Sequence, residues 1–171
     1  MKHALLRVCV FSFFITLLPV GAAAKEGLQF TLGKEWKVAN SLQTRDYTLL
    51  EFVREGDQLD GWKELVAIQN FKKSRDHRSP VATLDELKAL REKECPGVTQ
   101  WNVIEKTEDA ILYEWHATAC LGQPEQHEVA KILYGKHNVF LLHYAARAHE
   151  LASDARAQWM KWLGSVSVDS R

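Results

Sequence analysis

The chain has 171 residues, 22 of them basic and 22 acidic, for a formal charge of zero. That length suits one domain, and the balanced charge argues against a dedicated nucleic-acid binder, which carries a basic excess or stripe. With 46% hydrophobic and 10% aromatic residues, the composition also excludes wholesale disorder.

Residues 1–24 carry the three parts of a secretory signal peptide: positive Lys2, His3 and Arg7, an apolar run over 8–20, and the small residues Gly21, Ala22, Ala23 and Ala24. The run is shorter than the roughly 20 residues a bilayer crossing takes, which disfavours an uncleaved anchor. Cleavage after Ala24 leaves 147 of the 171 residues with 20 basic and 22 acidic groups, a formal charge of −2. The expected product is periplasmic or secreted, with no transmembrane segment. Removal of Cys9 leaves Cys95 and Cys120, which an oxidising compartment should join; two separate thiols are the alternative.

In the mature chain, 28–32 reads as a strand, and 36–42 with 47–54 as a hairpin. Residues 55–61 are rich in turn formers, 63–71 is strand-like, and 72–80 is charged and irregular. Thr83-Leu84-Asp85-Glu86 matches a capping box and predicts a helix ending near Glu94, ahead of Cys95-Pro96-Gly97. Leu84, Leu87 and Leu90 should line its inner side, with Lys88, Arg91 and Glu92 in water. Strands follow over 100–106, 110–119, 127–134 and 139–147. A closing helix over 150–164 should carry Leu151, Ala155, Trp159, Trp162 and Leu163 on one stripe. The order strands–helix–strands–helix with short turns predicts an α+β class, a mainly antiparallel sheet with two principal helices, in a single domain over 25–171.

If 135–138 is a hairpin loop, Tyr134 pairs with Val139, Ile132 with Leu141 and Ala130 with His143. Setting Glu114 opposite Lys131 would place opposite charges across the next ladder. That register puts Ile111, Tyr113 and Trp115 on one face with Ala130, Ile132, Val139 and Leu141. Glu114, His116, His127 and Lys131 share the other.

The opening Leu28-Gln29-Phe30-Thr31-Leu32 followed by Trp36, the mid-chain helix, the strand meander and the closing helix resemble the PsbP-type α/β fold superfamily over most of the mature chain. The run from Glu51-Phe52-Val53 to Asp60-Gly61-Trp62 is also similar to an element of small secreted bacterial proteins of uncharacterised role. The resemblance implies an accessory or binding protein rather than an enzyme, and it assigns no site residue.

Two fragments, His127-Glu128-Val129-Ala130-Lys131 and His149-Glu150-Leu151-Ala152-Ser153, lack the second histidine of a zinc helix and are rejected. No motif supplies a catalytic residue or calls for a cofactor. Three sets of residues merit attention. His116 and His127 with Glu114 form a candidate metal or proton-transfer cluster, weighed against a solvated sheet face. Glu128, His143 and Arg147, polar groups on a largely apolar face, form a ligand pocket or a structural ion-pair network. Trp62, with Asp60 and Gly61 in the turn-rich loop, is the candidate partner-binding site. Basic Lys72, Lys73, Arg75, His77 and Arg78 offer a further surface for acidic lipid or glycan, or a solvated loop. The leading expectation is an exported, non-enzymatic accessory or binding protein of the bacterial cell envelope, its partner an unknown protein, glycan or small ligand. The alternative is a metal-dependent hydrolase or metal-binding protein using the His/Glu cluster.

Overall fold

Alternating apolar and polar residues favour half-buried strands, and this pattern dominates the chain. The computed structural model describes residues 26–73 and 79–170. Residues 1–24, expected to be a signal peptide, and Arg75, His77 and Arg78 of the basic surface lie outside the described residues. Strands β1 (Glu26–Gln29), β2 (Trp36–Gln43), β3 (Tyr47–Arg54) and β4 (Glu64–Lys72) precede helix α1 (Pro80–Glu94). Strands β5 (Thr99–Lys106), β6 (Ala110–Ala117), β7 (Gln126–Tyr134) and β8 (Asn138–Ala146) lead to helix α2 (Ser153–Ser165) and strand β9 (Ser167–Ser170). Seven strands form one antiparallel sheet in the order β2-β3-β4-β8-β7-β6-β5, and β1 pairs with β9 in a separate two-stranded ribbon.

This composition corrects the α+β expectation. Of the described residues 49% are strand and 22% helix, and the α-helices among them are two short elements laid on a large sheet. Most strand predictions fell close to the observed spans, although the first, over 28–32, shares only Leu28 and Gln29 with β1, and the class was weighted too far towards the helices. Ser167–Ser170 escaped the sequence reading because a short segment with one apolar residue shows no strand periodicity; its partner lies at the other end of the chain.

The two faces of the sheet are covered differently. Helix α2 lies across β7 and β8 on one face. There Trp159 stacks on Tyr144 with ring centroids 4.2 Å apart, and Leu163, Leu142, Val129 and Val66 are fully buried around them. Helix α1 lies over β6 and β7 on the opposite face, where Leu84 packs on Ile111, Tyr113, Ala130 and Ile132. Beyond α1, no described helix covers that second face over β4 and β3. At one end the loop after β3 closes it, with Leu59 and Trp62 against Val53, Leu65 and Ala145.

Local signals explain the helix limits. Ser79 caps α1, its Oγ accepting from the Ala82 amide at 3.2 Å, and Pro80 opens the first turn without losing a needed donor. The expected capping box is therefore displaced: Thr83 is inside the helix, and its hydroxyl meets the Tyr134 hydroxyl at 2.6 Å. Helix α2 starts at Ser153 rather than 150, because the Leu151 amide donates to His127 Nδ1 at 3.1 Å and holds the chain outside the helix. At its other end Lys131 Nζ donates to the Leu163 and Val166 carbonyls, each at 3.0 Å, satisfying acceptors that a helix end leaves free.

The β7–β8 register pairs Tyr134 with Val139, Ile132 with Leu141 and Ala130 with His143, as the hairpin reading predicted. The β6–β7 register differs: Glu114 faces Val129, and Lys131 faces Leu112. The slip is two residues, which preserves the side of every side chain, so Glu114, His116, His127 and Lys131 do share one face. Cys95, at the end of α1, is bonded to Cys120 in the β6–β7 connection. Cys120 to Gln123 form a tight turn in which Leu121 (φ 53°) and Gly122 (φ 76°) are both left-handed, and Leu121 is 75% exposed.

Candidate functional site

The open half of the second face forms a groove between α1 and strands β4 and β8. Two adjoining cavities of about 220 and 410 Å³ lie along it, both lined by Gln69, Leu87 and Leu141. Trp101, Trp115 and Tyr113 wall the first, and Phe71, Tyr134 and Val139 the second. The aromatic wall is continuous: Trp101 lies 5.6 Å from Trp115 and 5.9 Å from Tyr113, centroid to centroid. Leu90, 55% exposed, and Phe71, 38% exposed, offer apolar surface to solvent at its two ends. Such a concave apolar lining with a few fixed polar groups is the usual build of a small-molecule site.

The polar groups are Glu128, His143 and Arg91. Glu128 is buried and accepts from Trp115 Nε1 at 3.0 Å and Gln126 Nε2 at 3.3 Å, while His143 Nδ1 lies 3.0 Å from its Oε1. Burial opposes a charged imidazole at His143, but Glu128 and the nearby carboxylate of Glu51 outweigh it and hold the group above its ordinary range. The Arg91 guanidinium lies over the Trp115 ring at 4.6 Å, and its Nε is buried with no hydrogen-bond partner among the described residues. Lys88 Nζ lies 6.0 Å above the Trp101 ring.

The expected set Glu128, His143 and Arg147 is thus divided. Glu128 and His143 pair as the register implied. Arg147 follows the end of β8, stacks 4.7 Å from Trp62 and donates to the Asp60 carbonyl at 3.3 Å. It therefore braces the loop that held the other candidate site. Trp62 is half-buried against Val53, Leu65 and Ala145, with Asp60 and Gly61 exposed beside it. The indole docks the loop against the sheet and keeps part of its surface in solvent.

The His/Glu cluster assembles on the α2 face, in a cavity of about 360 Å³. His116 lies 5.8 Å from His127 and 5.5 Å from His149, between ring centroids. Glu114 is engaged by Arg156, Nε to Oε2 at 2.6 Å and a terminal nitrogen to Oε1 at 2.7 Å, with Asn102 Nδ2 adding 2.9 Å. The Arg156 fork holds Glu114 at a pKa of about 2, displacing the expected partner Lys131, which caps α2 instead. His127 Nδ1 accepts the Leu151 amide, and Nε2 lies 3.5 Å from Glu114 Oε2. Burial keeps this imidazole below its ordinary range despite Glu114. Among the described residues, no three His, Cys, Asp or Glu side chains are grouped so as to hold a metal ion.

The sequence reading set Arg91 in water and Leu90 on the inner side of the helix; instead Leu90 is 55% exposed, Arg91 Nε is buried over Trp115, and Trp101 was not singled out as a site residue. Arg91 stands seven residues after Leu84, on the same helical stripe, which is the signal that would have placed it towards the sheet. Its stem and planar head cover an indole, so a charged residue lies on the packed side. No helix among the described residues is long and apolar enough to cross a membrane. No curated protein matches the chain. A family model matches residues 22–166, and the chain belongs to that family, whose role is uncharacterised.

Proposed function

We propose that this is an exported binding protein of the bacterial cell envelope, which takes an apolar small molecule into the groove beside α1. The observation that carries the reading is the uncovered, aromatic- and leucine-walled channel between α1 and β4, with Leu90 and Phe71 left open to solvent at its ends. The signal-peptide pattern of residues 1–24 and the Cys95–Cys120 bond support an oxidising, extracytoplasmic location. The resemblance to the PsbP-type superfamily, whose members are mostly accessory or binding proteins, points the same way.

The test is titration of the mature protein with the neutral fluorescent probe N-phenyl-1-naphthylamine. Leu90→Glu sets a charge in the groove at a position already exposed, so the fold is spared. Loss of the leucine contact should weaken probe binding by about five- to thirtyfold, equivalent to about 1–2 kcal/mol. Val38→Glu, at an exposed apolar site on edge strand β2, should leave binding unchanged. Equal effects of the two variants, or no saturable binding, would refute the groove as the site.

A further inference from the structure

We propose that the ligand of this groove is an apolar chain ending in a carboxylate, and that Arg91 and His143 receive its anionic head. The inference rests on the groove reading and specifies its chemistry. Aromatic walls can also attract cations, but that role is already filled here: Arg91 covers Trp115 and Lys88 lies over Trp101. Of these two cations Arg91 lines the groove and presents a positive group to its contents. Arg91 Nε carries a donor hydrogen that is buried and unpartnered among the described residues. Such a donor is costly to leave unmade, and a ligand carboxylate supplies the missing acceptor with a charge-assisted bond.

His143 completes the head site. Its Nδ1 is committed to Glu128 at 3.0 Å, which leaves Nε2 as the second nitrogen of a residue that lines the cavity. Glu128 does not oppose an incoming anion at full strength, because Trp115, Gln126 and His143 already share its two oxygens. Glu94 also lines this cavity but is exposed, so water screens it. The other end of the groove carries Lys72 and Lys73 beside the carboxylate of Glu86, and its cations are spoken for. Lys73 Nζ donates to the Gly135 carbonyl at 3.3 Å, and Lys72 Nζ lies 3.7 Å from Asp46. The unsatisfied donor places the head beside Trp115 and the chain along Leu87 and Leu141 towards Phe71.

Calorimetric titration of the mature protein with decanoate and with 1-decanol, matched in chain length, tests this. Decanoate should bind about tenfold more tightly, the value of one added charged hydrogen bond. Arg91→Met retains a stem over Trp115 and removes the donors, so decanol affinity should stay within about twofold while the preference for decanoate disappears. Equal affinity for the two compounds in the unsubstituted protein overturns the inference whatever the variant does. So does an Arg91→Met effect of the same size on both. If the neutral naphthylamine binds and decanoate shows no preference, the groove stands and its anionic assignment falls; if no apolar compound binds, both fall.

Discussion

Glu26 is the first described residue of the chain, and its carboxylate is the anchor of the β7–β8 turn more than a hundred residues away. It accepts from the amides of Lys136 (2.5 Å), His137 (2.9 Å) and Asn138 (2.9 Å), and from Asn138 Nδ2 at 3.1 Å. Successive amides converging on one anion form a nest. Burial alone would raise the carboxyl pKa, but these donors overcome it and hold Glu26 below the ordinary range. Hydrogen bonds to a charged group contribute about 1.5–3 kcal/mol each, but the turn amides regain water when the acid is removed. Glu26→Ala should accordingly cost about 2–4 kcal/mol, close to a 1–2 M fall in the urea midpoint for a slope of about 2 kcal/mol per M. Intrinsic fluorescence can follow the transition, since all six tryptophans lie beyond residue 24.

Gly135 provides the internal control. A β-carbon there would stand 2.7 Å from Glu26 Oε2, so Gly135→Ala drives a methyl group into the latch. It should cost about 1–3 kcal/mol in the unsubstituted protein, as overpacking does, and much less when Glu26 is already alanine. Additive losses in the double variant would refute the latch. The sign with pH is fixed by the depressed pKa: the contribution is present above about pH 4.5 and is lost as pH falls through the folded value, and Glu26→Gln should flatten that limb.

Intact-mass analysis of protein recovered from the exported fraction, without reduction, should give the 147-residue chain with no alkylatable thiol; two free thiols would refute the bond in the exported protein. Reduction should cost about 3–4 kcal/mol in the chain-entropy account, for cysteines 25 residues apart. Two histidines should shape stability against pH with opposite signs. His127, depressed from 6.5, stabilises above about pH 6.5 and loses that contribution as pH falls through its folded value, where protonating Nδ1 breaks the bond from Leu151. His143, raised from 6.5, stabilises below about pH 6.5 and loses its contribution as pH rises through its folded value. Urea midpoints from pH 5 to 8.5 should show His127→Gln weakening the acid-side loss and His143→Gln the alkaline-side loss; matching profiles would refute both assignments.

Legibility followed sequence distance. The β7–β8 register could be read because the turn over 135–138 fixes it within a few residues. The β6–β7 register could not, since a longer connection containing the Cys120–Gln123 turn separates the strands. An attractive charge pair, Glu114 with Lys131, then selected a register two residues away. The faces survived that error because side chains alternate with a period of two, and so the histidine cluster was recognised with the wrong partner for Glu114. The Glu26 latch and the β1–β9 pairing had no local signal at all: neither residue pattern means anything until segments more than a hundred residues apart meet.

The position of α1 makes the groove a consequence of the fold. The face under α2 is filled out to β4 and β3 by Val66, Ile68, Leu50 and Phe52, aided by Leu28 and Leu32 from the ribbon side. Among the described residues the opposite face has one helix, set over β6 and β7, and nothing comparable over β4 and β3. Its side chains change accordingly along one rung of the sheet, from Tyr113 and Ala130 beneath the helix to His143, Ala67 and then Glu51 outside it. Glu51 accepts from Asn40 at 2.8 Å, and Gln69 accepts from the Tyr47 hydroxyl at 3.3 Å, so the uncovered floor satisfies its own polar groups. A face meant to be sealed would need apolar residues at these positions. Polar satisfaction on the floor with aromatic walls above it fits the proposed binding groove, and Arg91, packed on Trp115 with its Nε donor unpartnered among the described residues, lines that groove.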